Sequence, residues 1–359
     1  MNYIGSKQTL LPFLYECIKQ VTADDEQANV FCDIFAGTGA VGKYFKIKGY
    51  QIIANDIQYY SYVLNRQYIG NHSVLMFDGL KDEIPSLKEE SCDETRDVKV
   101  CNYLDMLDPI EGFIYRNYCK GQHSDEDEYR LYFTDENGRK CDAIRTKIEL
   151  WHKEGKVTEN EYFFLLATLI ENIDKVANTA SVYGAFLKKI KKSAAKQMVM
   201  KPAEMVYNAQ EHFVFNEDAN ELVKRIHTDV LYMDPPYNHR QYSSNYHLLE
   251  TIARYDNPEI SGKTGVRRCN NQKSDYCSRT KVKQSFRQLI EAADARYIFL
   301  SYNNEGLMSF DEIREIMSVR GEYGFFRQAY NRFKADKESE SRRIAADSTV
   351  EYLHYVKCR

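Results

Sequence analysis

Tryptophan occurs once in 359 residues and proline seven times. No apolar run approaches the ~20 residues that span a bilayer. With a mean hydropathy of −0.59, these absences exclude a helical membrane protein. The stretch 10–18 is mildly apolar, but polar residues break it and no small-residue cleavage site follows, so no leader peptide is expected. Nine cysteines form no Cys-x-x-Cys pair and eight histidines no His-x-x-x-His pair. Neither a zinc site nor a catalytic metal is expected, and the thiols read as reduced and cytoplasmic. There is no Gly-x-Ser-x-Gly elbow and no cysteine near a plausible base, so covalent catalysis has no visible nucleophile. Internal repeats and low-complexity segments are also missing.

A net charge of −4 gives no global attraction to nucleic acid. The charge is unevenly spread, however. Between 263 and 287 stand eight Lys or Arg, including Arg267, Arg268, Lys273, Arg279 and Lys281, against one acid, Asp275. Lys188 and Lys189 open a second acid-free cluster that runs to Lys201. Screening lets such local stripes dominate at close range, so an acidic protein of this kind can still hold a polyanion.

Apolar periodicity predicts a helix over 6–20 and a strand over 30–35. A glycine turn follows, then a helix over 40–48 closed by Gly49, and a strand over 51–55 ending at Asp56. Strand, glycine turn, helix and strand make a βαβ unit and imply a parallel sheet. The middle lacks strand alternation and becomes helical in its second half, with a strong apolar helix over 162–176. Sheet character returns at 212–215, 230–233 and 297–301, and 323–330 and 349–356 read as two final strands joined by a charged loop. The fold class is α/β, split by an insertion. The catalytic part spans 1–77 and 201–359, and the inserted part 78–200.

Two constellations carry chemistry. Phe35-Ala36-Gly37-Thr38-Gly39 leads into Gly42, formally Gly-x-Gly-x-x-Gly, with Asp56 nineteen residues after Gly37. Such glycines let backbone approach a ligand, and an acid ending the second strand suits ribose hydroxyls. The pattern fits NAD, FAD and S-adenosylmethionine equally. Asp33, inside the first strand, is either a second polar group at that ligand or a strand-end residue. The sharper signal is Leu231-Tyr232-Met233-Asp234-Pro235-Pro236-Tyr237. A strand runs into two prolines that forbid its continuation and leave a rigid loop. Ligands of open α/β sheets bind outside the carboxyl ends of strands. This places an acceptor (Asp234), a fixed carbonyl (Pro235) and an aromatic face (Tyr237) at one site. The set suits methylation of the exocyclic amine of a flipped base. The amine lone pair is delocalised into the ring, and hydrogen bonds to Asp234 and the Pro235 carbonyl would steer it at a methyl donor. Tyr237 would stack on the extruded base. No strong base is needed, because the proton becomes acidic once the methyl is attached.

These residues resemble the D12 class of DNA adenine-N6 methyltransferases, the alpha group that includes the Dam methylases. The likeness covers about 1–70 and 205–359 in the family's motif order. Asn2-Tyr3-Ile4-Gly5-Ser6-Lys7 resembles the family's opening block, which implies that Tyr3 and Lys7 contact S-adenosylmethionine. Phe35 to Gly39 matches the cofactor loop, Asn55-Asp56 the ribose position, and Phe215 to Ala219, with Asp218, the lining of the cofactor's adenine pocket. Ser301 to Asn304, Tyr330 to Phe333 and Glu351 to Leu353 resemble the later blocks. The resemblance implies a Rossmann-like sheet, mostly parallel with an antiparallel final strand, and a largely helical target recognition region at 78–200. It implies a bacterial enzyme acting at the nucleoid on a specific site in double-stranded DNA; a monomer is the default, since one flipped base needs one active site. The basic stretch 238–287 resembles methylases that accompany type II and type IIS restriction enzymes, so a cognate endonuclease is an expected partner. His239 and Arg240, directly after Tyr237, are candidate phosphate contacts with the basic residues above. N4-cytosine methylation is the near alternative, and a nicotinamide-dependent oxidoreductase, resting on the glycine loop alone, is the distant one.

Overall fold

The computed structural model describes residues 5–89, 94–121, 123, 129–268, 272–331 and 348–359. Tyr3, the acidic residues 125–128 and the charged connection 332–347 lie outside the described residues. The chain forms two compact units. One comprises Ile4–Asn65, Asn208–Ser243 and Asn270–Arg359, the other Arg66–Tyr207 and Ser244–Cys269.

The strands in chain order are β1 (Val30–Asp33), β2 (Gln51–Asn55), β3 (Phe213–Phe215), β4 (His227–Met233), β5 (Ile260–Ser261), β6 (Val266–Arg267), β7 (Asp294–Asn303), β8 (Gly321–Asn331) and β9 (Ser348–Cys358). The first unit carries a seven-stranded sheet in the order β3-β2-β1-β4-β7-β9-β8. β1 pairs in parallel with β2 and β4, and β4 in parallel with β7. β9 is antiparallel to both its neighbours, β7 and β8. β4 is buried from Thr228 to Met233, as a strand covered on both faces must be, and this is why 230–233 reads as a continuous apolar run. The sheet grows from β1 toward β2 on one side and β4 on the other. The carboxyl ends of β1 and β4 therefore flank the point where strand order reverses, which is where open α/β sheets bind ligands.

Helices fix the sheet by apolar spacing. Leu11–Val21 buries Leu11, Leu14, Cys17, Ile18 and Val21, one face of a 3.6-residue repeat. Ala40–Ile47 is held on β1 by Phe45, whose ring stacks on Phe31 at 3.9 Å. On one face of the sheet, Phe286, Leu289, Ile290, Ile313 and Met317 pack in one cluster with Leu231, Met233, Ile298 and Leu300.

The second unit is built on two long helices, Asp135–Lys153 and Glu159–Lys175. Thr134 and Thr158 cap their first turns, the latter in a reciprocal box with Glu161. The sequence draws this segment as 78–200, whereas the compact unit runs from 66 to 207 and also takes in 244–269. Arg145 accounts for the addition. Its side chain is 2% exposed, and its guanidinium donates to the Ile252 and Ala253 carbonyls at 3.0 and 3.1 Å. Those carbonyls are the unsatisfied C-terminal acceptors of the helix His247–Arg254, so one planar donor fork closes the helix end and ties the later segment in. The β5–β6 ribbon is fastened by Tyr118, whose hydroxyl donates to the Gly265 carbonyl at 2.8 Å. Among the described residues no helix is long and apolar enough to cross a membrane.

Replacing Arg145 by Ala should cost about 3 kcal/mol, because it strands buried carbonyls. Urea unfolding would measure the loss, and amide exchange should rise first in 247–254.

Candidate active site

The loop after β1 turns into the helix Ala40–Ile47 through Gly37 and Gly39, at φ +52° and +78°. A Cβ on Gly39 would lie 2.8 Å from Asn65 Oδ1, so only glycine fits. Asn65 Nδ2 donates to the Gly37 carbonyl at 3.0 Å. The Gly37 amide donates to Asp56 Oδ2 at 2.9 Å, and the Gln58 amide to Asp56 Oδ1 at 2.8 Å. The acidic residue that follows β2 is therefore locked to the glycine loop. Asn55 binds the loops together: its amide donates to the Ile34 and Glu217 carbonyls, each at 3.1 Å. Phe35 stands edge-on to Tyr276 at 4.9 Å. Asp33 is buried, with Oδ1 lacking a hydrogen-bond partner. Burial, then Asp234 and Asp56, push its carboxyl well above the usual range, against hydrogen bonds from the Gly42 and Phe35 amides. Asp218 is exposed and accepts from the Asn220 amide at 2.9 Å, capping the helix Ala219–Leu222.

Next to this cradle, β4 delivers Asp234. Its Oδ1 is in an ion pair with Lys7 Nζ at 3.1 Å but accepts no hydrogen bond, whereas Lys7 Nζ donates to Glu351 Oε1 at 2.7 Å. Ser301 Oγ donates to the same Glu351 oxygen at 2.6 Å. Lys7 lies 5.4 Å from the Tyr237 ring centroid, within cation–π range. Tyr237 is half-buried and stands edge-on to Tyr302 at 5.7 Å. Gly5, at φ +75°, passes close by; a Cβ there would lie 3.2 Å from the Tyr242 hydroxyl and 3.4 Å from that of Tyr237. Burial raises the Asp234 carboxyl to about 6; Lys7 pulls it down and Glu351 pushes it up. Burial opposes the Lys7 charge, yet Asp234, Tyr237 and Glu351 hold its ammonium well above the ordinary lysine value. The set presents a charged acceptor, a rigid Pro235-Pro236 turn and an aromatic face at the carboxyl edge of β4. Such a set can hold the hydrogens and the ring of an aromatic amine.

The candidate phosphate contacts separate into groups. His239 and Arg240 are exposed. Their loop is stitched to 272–278 by Gln241 and Ser274: Gln241 Nε2 donates to the Ser274 carbonyl at 3.1 Å, and the Ser274 amide to Gln241 Oε1 at 2.9 Å. Lys273, Arg279 and Lys281 are exposed on this same unit, Lys281 with Asp275 at 3.0 Å. Lys188, Lys189 and Arg268 are exposed on the other unit, where Arg268 pairs with Glu259 at 2.8 Å. Arg267 differs. It is 7% exposed and makes a two-pronged pair with Asp256 at 3.0 and 2.7 Å. That geometry uses its fork inside the fold. Glu351, Asn65 and the Gln241–Ser274 pair carry no signal in spacing; Glu351 and Lys7 are 344 residues apart.

A family model described as D12 class N6 adenine-specific DNA methyltransferase matches residues 3–316. The chain is 49% identical to Type II methyltransferase M.NlaIII of Neisseria lactamica, over 99% of each protein. It is 34% identical to Type II methyltransferase M.CviAII of Paramecium bursaria Chlorella virus 1, over 99% of this chain and 98% of that one. Identity to Type II methyltransferase M.FokI of Planomicrobium okeanokoites is 38% over 99% of this chain, which spans 52% of that protein. The oxidoreductase and N4-cytosine alternatives fall with the family match.

Two outcomes are expected. The folded Asp234 carboxyl at about 6, against an ordinary 3.8, means that the fold disfavours its charge. That penalty is absent below the ordinary value and complete above the raised one. Asp234→Asn should therefore raise the melting temperature near pH 8, with the gain vanishing as pH falls toward about 4; calorimetry across pH checks this. Arg267→Ala should lower stability by about 1–3 kcal/mol, measured by denaturant unfolding.

Proposed function

Because the chain belongs to the D12 class N6 adenine-specific DNA methyltransferase family, we propose that it methylates one specific site in double-stranded DNA as the modification partner of a type II restriction system. The methyl donor in this reading is S-adenosylmethionine. The cradle suits it: Asp56 is held by its carboxylate against the glycine loop, and buried Asp33 keeps an oxygen without a hydrogen-bond partner. Tyr3, Lys7, Phe35, Gly37, Gly39 and Asp218 complete the proposed set. Bound there, the donor supplies an electrophilic methyl group on a sulfonium.

The observation that carries the reading is the junction of Lys7, Asp234 and Tyr237 at the carboxyl end of β4. Asp234 and the Pro235 carbonyl accept the two hydrogens of the adenine amine and turn its lone pair out of the ring plane. Tyr237 stacks on the extruded base, offsetting part of the few kcal/mol that flipping costs. Held so, the amine lone pair would face the methyl group that the donor supplies. The amine proton then leaves to Asp234 or to water. Exposed His239, Arg240, Lys273, Arg279 and Lys281 follow the phosphate backbone, while 78–200, with Lys188 and Lys189, supplies base recognition. Arg268 joins them at the cost of its exposed pair with Glu259, which is worth little. The M.NlaIII and M.FokI likenesses support the restriction-modification setting. One flipped base needs one active site, so the protein acts as a monomer.

Transfer from labelled S-adenosylmethionine to unmethylated genomic DNA tests this directly. Nucleoside digestion and long-read mapping should find N6-methyladenine at one recurrent motif; scattered methylation or none would overturn it. Tyr237→Ala should raise the DNA KM about tenfold or more, given ~1–3 kcal/mol per stacked base. The triple variant of Lys273, Arg279 and Lys281 to Glu should flatten the log–log salt dependence of DNA binding by about two to three, read by fluorescence anisotropy.

A further inference from the structure

Glu351 stands on β9, near the far end of the chain, yet it is 3% exposed and reaches Lys7. The antiparallel course of β9 explains this. Its first residues lie at the carboxyl edge of the parallel strands, where Glu351 pairs with Asn303 and Leu353 with Ser301. A buried carboxylate persists only when it is paired and hydrogen-bonded. Here one oxygen, Oε1, accepts from both Lys7 Nζ at 2.7 Å and Ser301 Oγ at 2.6 Å. The Lys7 ammonium is thus shared between Glu351 and Asp234.

A lysine ammonium is a point charge on a flexible four-carbon stem. One carboxylate would leave it free to swing. A second, itself fastened by a hydroxyl, fixes its position. Asp234 sits just after the end of a strand with 17% of its side chain exposed, and its Oδ1 meets Lys7 as an ion pair at 3.1 Å without a hydrogen bond, so the place of that charge sets the pull on the carboxylate. We propose that Glu351, anchored by Ser301, is a positioning residue that fixes the Lys7 ammonium against Asp234 and so aims the Asp234 carboxylate at the adenine amine. This rests on the reading of Asp234 as the acceptor of that amine.

Electrostatics adds a readout that a merely structural residue would not move. The groups facing Asp234 are Lys7 from the N-terminal segment, Glu351 from β9, Asp33 from β1, Tyr232 on its own strand and the Tyr237 ring close to Lys7. Glu351 pushes the Asp234 carboxyl upward and Lys7 pulls it downward. Glu351→Gln keeps an oxygen that can accept from Lys7 and Ser301 but removes the negative charge. The Asp234 value then falls, and the acid limb of the kcat/KM profile moves to lower pH. Glu351→Ala removes the acceptor altogether.

The test is steady-state methylation of duplex DNA across pH by the full chain and its variants, with thermal unfolding as the check on folding. Glu351→Ala is expected to lose about tenfold to a hundredfold in kcat, the scale of a small misplacement of a reacting group, with DNA KM little changed. Glu351→Gln is expected to recover most of kcat, with its acid limb displaced downward. Ser301→Ala, the gentler change should Glu351→Ala not fold, is expected to lower kcat severalfold at constant DNA KM. Wild-type kcat and an unmoved acid limb in a folded Glu351→Ala or Ser301→Ala protein would overturn the proposal. So would a folded Glu351→Gln protein as impaired as Glu351→Ala with its acid limb unmoved. A wild-type protein that forms no N6-methyladenine would instead bring down the functional reading on which the proposal rests.

Discussion

One buried ammonium organises the site. Lys7 comes from the start of the chain, Asp234 from the centre of the sheet and Glu351 from the last strand, and the three meet through ion pairs of 3.1 and 2.7 Å. None of these charges would be tolerated alone at such burial. Two carboxylates and one cation leave a net negative charge beside the cradle, with Asp33 adding to it once ionised. A pocket of that sign favours a cationic ligand and resists a second anion. The same cation lies by Tyr237, so Tyr237 and Asp234 share one anchor.

The sheet makes this meeting possible. Parallel strands bring every carboxyl end to one edge, and the antiparallel β9 adds its own beginning there. The turns along that edge are held by polar side chains as well as by the apolar core. Asn55 bonds to the carbonyls of Ile34 and Glu217, Asn65 to that of Gly37, and Asp56 receives the Gly37 amide. A cradle braced in this way is pre-organised, so ligand binding need not order it.

Much of this was legible in the sequence because local physics and global fold agree. The strand Gln51–Asn55 has the bounds that periodicity gives it, and the helix Ala40–Ile47 lies between the glycine turn and Gly49 as its spacing requires. The places of Asp234, Tyr237, Gly37, Gly39 and Asp56, at strand ends and in turns, follow from strand-end position and turn chemistry. Glu351 and Ser301 were visible only as parts of later blocks, since a contact across 344 residues leaves no local trace. Arg267 misled for the opposite reason. Charge density cannot distinguish a guanidinium facing solvent from one whose fork is taken by Asp256. The sequence counts 244–269 with the catalytic part, because Arg145, a mid-helix arginine, gives no sign that it caps another helix.

The central claim is that Lys7 holds Asp234 as an ionised acceptor inside the fold. Carbon-13 titration of the Asp234 side-chain carboxyl would test it most directly, in the wild-type protein and in Lys7→Met. The account predicts a wild-type midpoint near 6, moving upward once the ammonium is gone. A midpoint in the ordinary carboxylate range, unchanged by Lys7→Met, would contradict it.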